Sequence, residues 1–110
     1  ANSYRWFEAG RSELMRAGGV PYAEIVKEGL FMPVVESWCK YHYPARYDDH
    51  LLITSWVHEL KAATIVIAHQ VHVGERLICE GGARLACVDE RGRVRRIHST
   101  ISAIVRAASQ

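Results

Sequence analysis

The feature that most restricts the fold is a single change of hydrophobic period near residue 30. Before it, Ser3, Phe7, Gly10, Leu14 and Ala17 recur at spacings of three and four, with Tyr4, Met15 and Gly18 beside them, while Arg5, Glu8, Glu13 and Arg16 take other faces. This is the period of a helix with one small, apolar face. It predicts a helix over residues 3 to 17, with Asn2 or Ser3 as N-cap and Gly18-Gly19 as its stop. "PYAEIVKEG" predicts a short second helix with Pro21 at its first position and Gly29 after its last turn. From Leu30 onward the texture is that of strands: "LFMPVVESWCKYHYPA", "LLITSWVHELK", "AATIVIAHQVHV", "RLICEGGARLACVDE" and, after a turn at "ERGR", "VRRIH". "STISAIVRAAS" closes as a short amphipathic helix with Ser99 as its cap. A helix followed by consecutive strands joined by tight turns is an α+β domain, with a largely antiparallel sheet covered by one long N-terminal α-helix.

The 110 residues allow one domain, 1–110, with a single core. A 49% hydrophobic and 24% charged composition excludes disorder, and a net charge of +2 gives no field for nucleic acid. Arg91, Arg93, Arg95 and Arg96 read as a solvated strand end. Cys39, Cys79 and Cys87 have no CxxC spacing and lie in apolar runs, so reduced thiols and a cytoplasmic location are expected. No apolar run approaches the ~20 residues that cross a bilayer, and no leader is present, so no membrane partner is expected. Within the third strand run, Ile65, Ile67, His69, Val71 and Val73 share one face and Thr64, Val66, Ala68, Gln70 and His72 the other. Gly81 and Gly82 signal a bulge or a close backbone approach.

A sheet curled around one helix needs small residues where the two come close, and Ala9, Gly10, Ala17 and Gly18 supply them. That arrangement points to the hotdog fold. "NSYRWFEAGRSELM", "YHYPARYDD", "GGARLACVDERGR" and "RRIHSTI", in this order and spacing, resemble acyl-CoA thioesterases of the 4-hydroxybenzoyl-CoA thioesterase and YbgC type. The resemblance implies a six-stranded hotdog sheet and hydrolysis of an acyl-CoA thioester. It also implies a first strand ahead of the helix whose following loop carries a catalytic carboxylate, and this sequence starts after that point. No cofactor is implied. What the chain retains of that machinery is the helix start, where the backbone amides of Asn2, Ser3 and Tyr4 would hold an oxyanion. Family sites lie between subunits, so a homodimer or a dimer of dimers is expected. "VVESWCKYHY" is the edge that would pair with its copy.

Glu8 is the nearest carboxylate to the helix start and the candidate base or substrate-orienting group; its plainer role is a surface ion pair with Arg5 or Arg11. Asp48 and Asp49 read as a turn cap before "LLITSW". His69 and His72 are three apart on a strand and face opposite ways, so a metal site is not expected. His58 and His69 read as partly buried strand residues with a satisfied ring nitrogen, and His42 and His50 flank the turn. No Gly-x-Ser-x-Gly elbow supports serine-hydrolase chemistry. Where relatives hold coenzyme A phosphates with a basic turn between the central strands, "HELKAAT" retains only Lys61; Arg46, Arg95 and Arg96 are further candidates. His98 stands where relatives have the proline of Arg-Ile-Pro. Met32, Pro33 and Trp38 are candidates to line an acyl channel. Two other functions fit the same residues: a non-catalytic acyl-thioester-binding or interaction protein, and a thioesterase acting on an acyl carrier protein.

Overall fold

The computed structural model describes residues 2–16 and 20–108, with the side chains of 4–16 and 20–107. Seven elements follow in the order α1 (Asn2–Arg16), α2 (Tyr22–Lys27), β1 (Val34–Tyr41), β2 (Leu52–Leu60), β3 (Thr64–Val73), β4 (Arg76–Ala86) and α3 (Ser99–Ala108). Residues 2–16 contain no proline and no β-branched side chain, which suits a continuous helix. Its buried face is Phe7 and Gly10, flanked by partly buried Trp6, Leu14 and Met15. Gly10 is the one poor helix former, and its place is steric. A Cβ there would collide with the Ser55 hydroxyl and lie 3.0 Å from Ile53 and 3.1 Å from His69 Nδ1. Ala9, also expected at the close approach, faces solvent instead. Ala17 and the Gly18-Gly19 stop lie outside the described residues.

The strands form one antiparallel sheet in the order β1-β4-β3-β2. The β3–β4 hairpin closes through Gly74 and Glu75, with Gly74 at φ +57, the Gly-X order of a type II′ turn. Gly81 and Gly82 mark close approach and sit in an unbroken register. A Cβ at Gly81 would strike the Trp38 carbonyl oxygen and lie 2.7 Å from the Phe7 ring; one at Gly82 would strike the Ile67 carbonyl oxygen.

Among the described residues the sheet has four strands, not six. "VRRIH" makes only an isolated bridge, Val88 to Val94, and Arg95 and Ile97 donate backbone bonds to the carbonyls of Cys87 and Ala62. The segment therefore closes the end of the sheet rather than extending it. The local reason is Asp89, whose carboxylate gathers the amides of Arg91 and Arg93 and the side chains of Arg93 and Arg95 into a compact loop.

Two further boundaries move. Pro21 is the N-cap of α2, its carbonyl accepting from Glu24 and Ile25, and Gly29 at φ +73 ends the helix. α3 is capped by His98 rather than Ser99: Nδ1 accepts the Thr100 amide at 3.1 Å and the His98 carbonyl accepts from Ser102 at 3.0 Å. The position that departs from the family's proline thus starts a helix.

The inner face of the sheet carries α1, α2 and α3. One cluster gathers Ile25 of α2, Ile65, Ile67 and Leu85 of the sheet, and Ile101 and Val105 of α3, with Leu14 and Met15 of α1 against it. A second joins Phe7 to Val71, Ile78 and Cys79, with Trp6, Ala45 and Leu51 alongside. Together they orient α1: its N-terminal half lies over the end of the sheet where the 42–51 loop crosses, and its C-terminal half over the end with the 61–63 turn.

Candidate functional site

At the 42–51 end, the β1–β2 loop is shaped by Asp49. Its carboxylate accepts the Arg46 amide at 2.6 Å while its own amide donates to the Arg46 carbonyl at 3.1 Å. The turn cap expected from "YPARYDD" is in place. This loop and α1 enclose a cleft of about 510 Å³ lined by Trp6, Tyr41, Pro44, Arg46, Tyr47 and Leu51. Trp6 and Tyr41 meet with ring centroids 6.5 Å apart, and Tyr4 stands edge-on to Phe7 at 6.3 Å. On the other side of Arg46, a more open cleft of about 810 Å³ is bounded by His42, Tyr43, Glu75 and Arg76, the Arg76 guanidinium lying 4.8 Å over the Tyr43 ring. Neither Arg46 nor Arg76 has a carboxylate partner among the described residues.

Behind the cleft, β2 and β3 bring Ser55 and His69 together, Oγ to Nδ1 at 2.7 Å. His69 is 1% exposed, stacked beneath Phe7 at 4.8 Å, and its Nε2 has no partner among the described residues. Burial, reinforced by the charge of Arg11, pushes the ring down to about 4, so it is neutral at physiological pH. The expected satisfied ring nitrogen is Nδ1, and the ring is fully rather than partly buried. His58, expected partly buried, is exposed on the outer face. Among the described residues no three His, Cys, Asp or Glu side chains gather as for a metal.

The residues singled out from the sequence do not converge on one place. Asn2, Ser3 and Tyr4 form the first turn of α1, whose amides have no acceptor four residues upstream within the helix; the Asn2 and Ser3 side chains lie outside the described residues. Glu8 is exposed and pairs with neither Arg5 nor Arg11. Arg46 is at the α1 N-terminal end. Lys61, Arg95 and Arg96 are at the opposite end, and β2, with nine residues at about 3.3 Å each, separates the two by roughly 30 Å. Lys61 and Arg95 are also engaged, with Glu59 at 3.6 Å and Asp89 at 2.9 Å.

The three apolar candidates separate too. Met32 is buried in the main core and cannot line an opening; Pro33 is exposed; Trp38 projects from the outer face, away from α1. Trp6, Tyr41 and Arg76 were not singled out, because an aromatic or a lone arginine in a periodic run reads as core or surface. Ser55 had a readable signal: a hydroxyl alternating with Ile53 and Val57 on the apolar face of its strand.

A family model described as the thioesterase superfamily matches residues 1–80, and the chain belongs to this superfamily. An Aquifex aeolicus protein provisionally named an esterase is 26% identical over 94 residues, covering 86% of this chain and 73% of its own. A Bacillus subtilis protein provisionally named acyl-CoA thioesterase YneP is 27% identical over 92 residues, 82% of this chain and 66% of its own. The crystal structure of a hypothetical protein from Thermus thermophilus superposes with a TM-score of 0.82 at 25% identity, covering 96% of this chain and 81% of that one. The fold is a hotdog, an antiparallel sheet wrapped around α1, as expected from the sequence.

Proposed function

We propose that the chain hydrolyses an acyl-CoA thioester to the free acid and coenzyme A, at the α1 N-terminal end of its sheet and as a symmetric dimer in the cytoplasm. The observation that carries this reading is the cleft beside the first turn of α1, where the amides of Asn2, Ser3 and Tyr4 are free of helical acceptors. Water adds to the thioester carbonyl, the amides and the helix dipole hold the oxyanion, and collapse breaks the C–S bond to release the thiol. The base is Glu8 or a carboxylate from outside these 110 residues. Superfamily membership and the name carried by the Bacillus relative support a coenzyme A ester.

The separation of the cations supports the dimer. β1 lies at an edge of the sheet and is exposed along nearly all its length. Antiparallel pairing of two β1 strands across a two-fold axis would lay one copy's 87–97 segment, with its arginines, beside the other copy's 42–51 loop. Phosphates reaching from the cleft would then meet Arg91 and Arg96, the arginines of that segment without a carboxylate partner among the described residues.

Two observations favour alternatives. Lys61 and Arg95 are engaged by carboxylates, which leaves few cations for phosphate and fits an acyl carrier protein as donor; free coenzyme A would then fail to compete. Glu8 has no ion-pair or hydrogen-bond partner among the described residues, which fits a non-catalytic acyl-thioester-binding protein. The test is thiol release from short, long and aromatic acyl-CoAs by the wild-type chain and by Glu8→Gln. Turnover above the buffer rate is expected, and its collapse in Glu8→Gln would place the base on α1. No turnover from a folded dimer would refute hydrolysis and leave the binding role.

A further inference from the structure

The outer face of the sheet, opposite α1, carries a feature that hydrolysis at the helix N-terminus does not use. Cross-strand register sets Trp38, Gly82, Ala68 and Trp56 in one row across β1, β4, β3 and β2. The two middle positions have almost no side chain. Trp38 leans over Gly82, where a Cβ would come within 2.9 Å of its Cζ2. The space above Ala68 is therefore walled by one indole from each side, and both remain exposed, Trp38 at 39% and Trp56 at 37%. The trough holds about 340 Å³, at the small end of the roughly 300–1,000 Å³ of small-molecule sites. Lys40, Gln70 and His58 stand at its rim.

The charges at the rim indicate what sort of molecule fits. Glu80 also lines the trough, between Lys40 and Gln70 in the cross-strand row, with its carboxylate turned to His42 Nε2 at 2.7 Å; Lys40 has no carboxylate within ion-pair distance among the described residues. Farther along the same face, Arg84 is taken by Glu36 and Glu59. The slot is thus lined by two indoles and, next to them, by one ammonium that makes no ion pair among the described residues. We propose that it binds a planar aromatic carboxylate, the ring between Trp38 and Trp56 and the carboxylate on the Lys40 ammonium, on the side of Lys40 away from Glu80. The proposal concerns a face separate from α1 and does not rest on the hydrolytic reading.

The test is a titration of the full chain with benzoate and indole-3-carboxylate, followed by isothermal titration calorimetry and tryptophan fluorescence. Saturable binding is expected, tighter for the bicyclic acid. Trp56→Leu should weaken it about tenfold, through loss of one stacking wall. Lys40→Gln should weaken it about threefold and leave binding of the neutral indole-3-carboxamide unchanged. Both substitutions are at exposed positions, and circular dichroism checks that each variant is folded. Absence of saturable binding would overturn the proposal, as would equal affinity in folded Trp56→Leu or tighter binding of tetramethylammonium than of the acids. So would acrylamide-resistant Trp fluorescence in an assembly that Trp56→Leu splits, since a second copy would then fill the slot.

Discussion

The two ends of the sheet use the same residue types to opposite effect. At the 61–63 end, Asp89 holds Arg93 and Arg95, and Glu59 holds Lys61 and Arg84, so charge is spent on closing the sheet. At the 42–51 end the one loop carboxylate so used, Asp49, binds a backbone amide, and the guanidinium groups of Arg46 and Arg76 are left beside open clefts. An arginine count cannot distinguish these ends; what each arginine touches can. At the closed end the cations are tied to carboxylates, while at the open end, with the start of α1 above it, two guanidinium groups border clefts; this is the end where we propose that the ligand binds.

The strongest way to disturb this arrangement is at the seam between helix and sheet. Gly81→Ala should destabilise the fold by about 3 kcal/mol, because the methyl meets a backbone oxygen that cannot swing aside as well as the Phe7 ring. Its melting temperature against wild type checks this. Acid should have a comparable effect through His69. A ring held near 4 when folded and near 6.5 when unfolded stabilises the fold fully above pH 6.5, and loses about 3 kcal/mol as pH falls from there through 4. Urea unfolding at pH 7, 5 and 4 should show the loss, and Asp89, held down to about 2 chiefly by the Arg93 amide, should add little in that range, most of its own loss falling below pH 4. The smallest effect compares the ends directly. Arg46→Ala should raise KM for an acyl-CoA a few-fold, about what one partly exposed charge contributes, and Lys61→Ala in the same chain should not.

The order and type of the elements were legible because each carries its period: α1 by three-four spacing, β3 by strict alternation from Thr64 to Val73. The family resemblance was also legible and supplied the hotdog wrap. What failed was anything set by one carboxylate or one contact. Asp89 turned an expected strand into a loop, His98 took the cap from Ser99, and Ala9, expected at the close approach together with Gly10, faced solvent. Of the proposed site, the helix start and the turn that carries Arg46 were legible as local elements, both fixed by local sequence. It was not legible at Trp6, Tyr41 and Arg76, which depend on where the 42–51 loop crosses, nor in the distance between Arg46 and Lys61.

The central claim is that the first-turn amides of α1 hold the oxyanion, and Tyr4→Pro tests it most directly. Proline is tolerated in the first helical turn, so the substitution removes one donor without breaking α1. Thiol release from an acyl-CoA should fall in kcat about 100-fold relative to Tyr4→Ala, which loses the same ring against Phe7 but keeps the amide, at similar melting temperature and little changed KM. An unchanged kcat in the folded variant would contradict the account and move the chemistry away from the start of the helix.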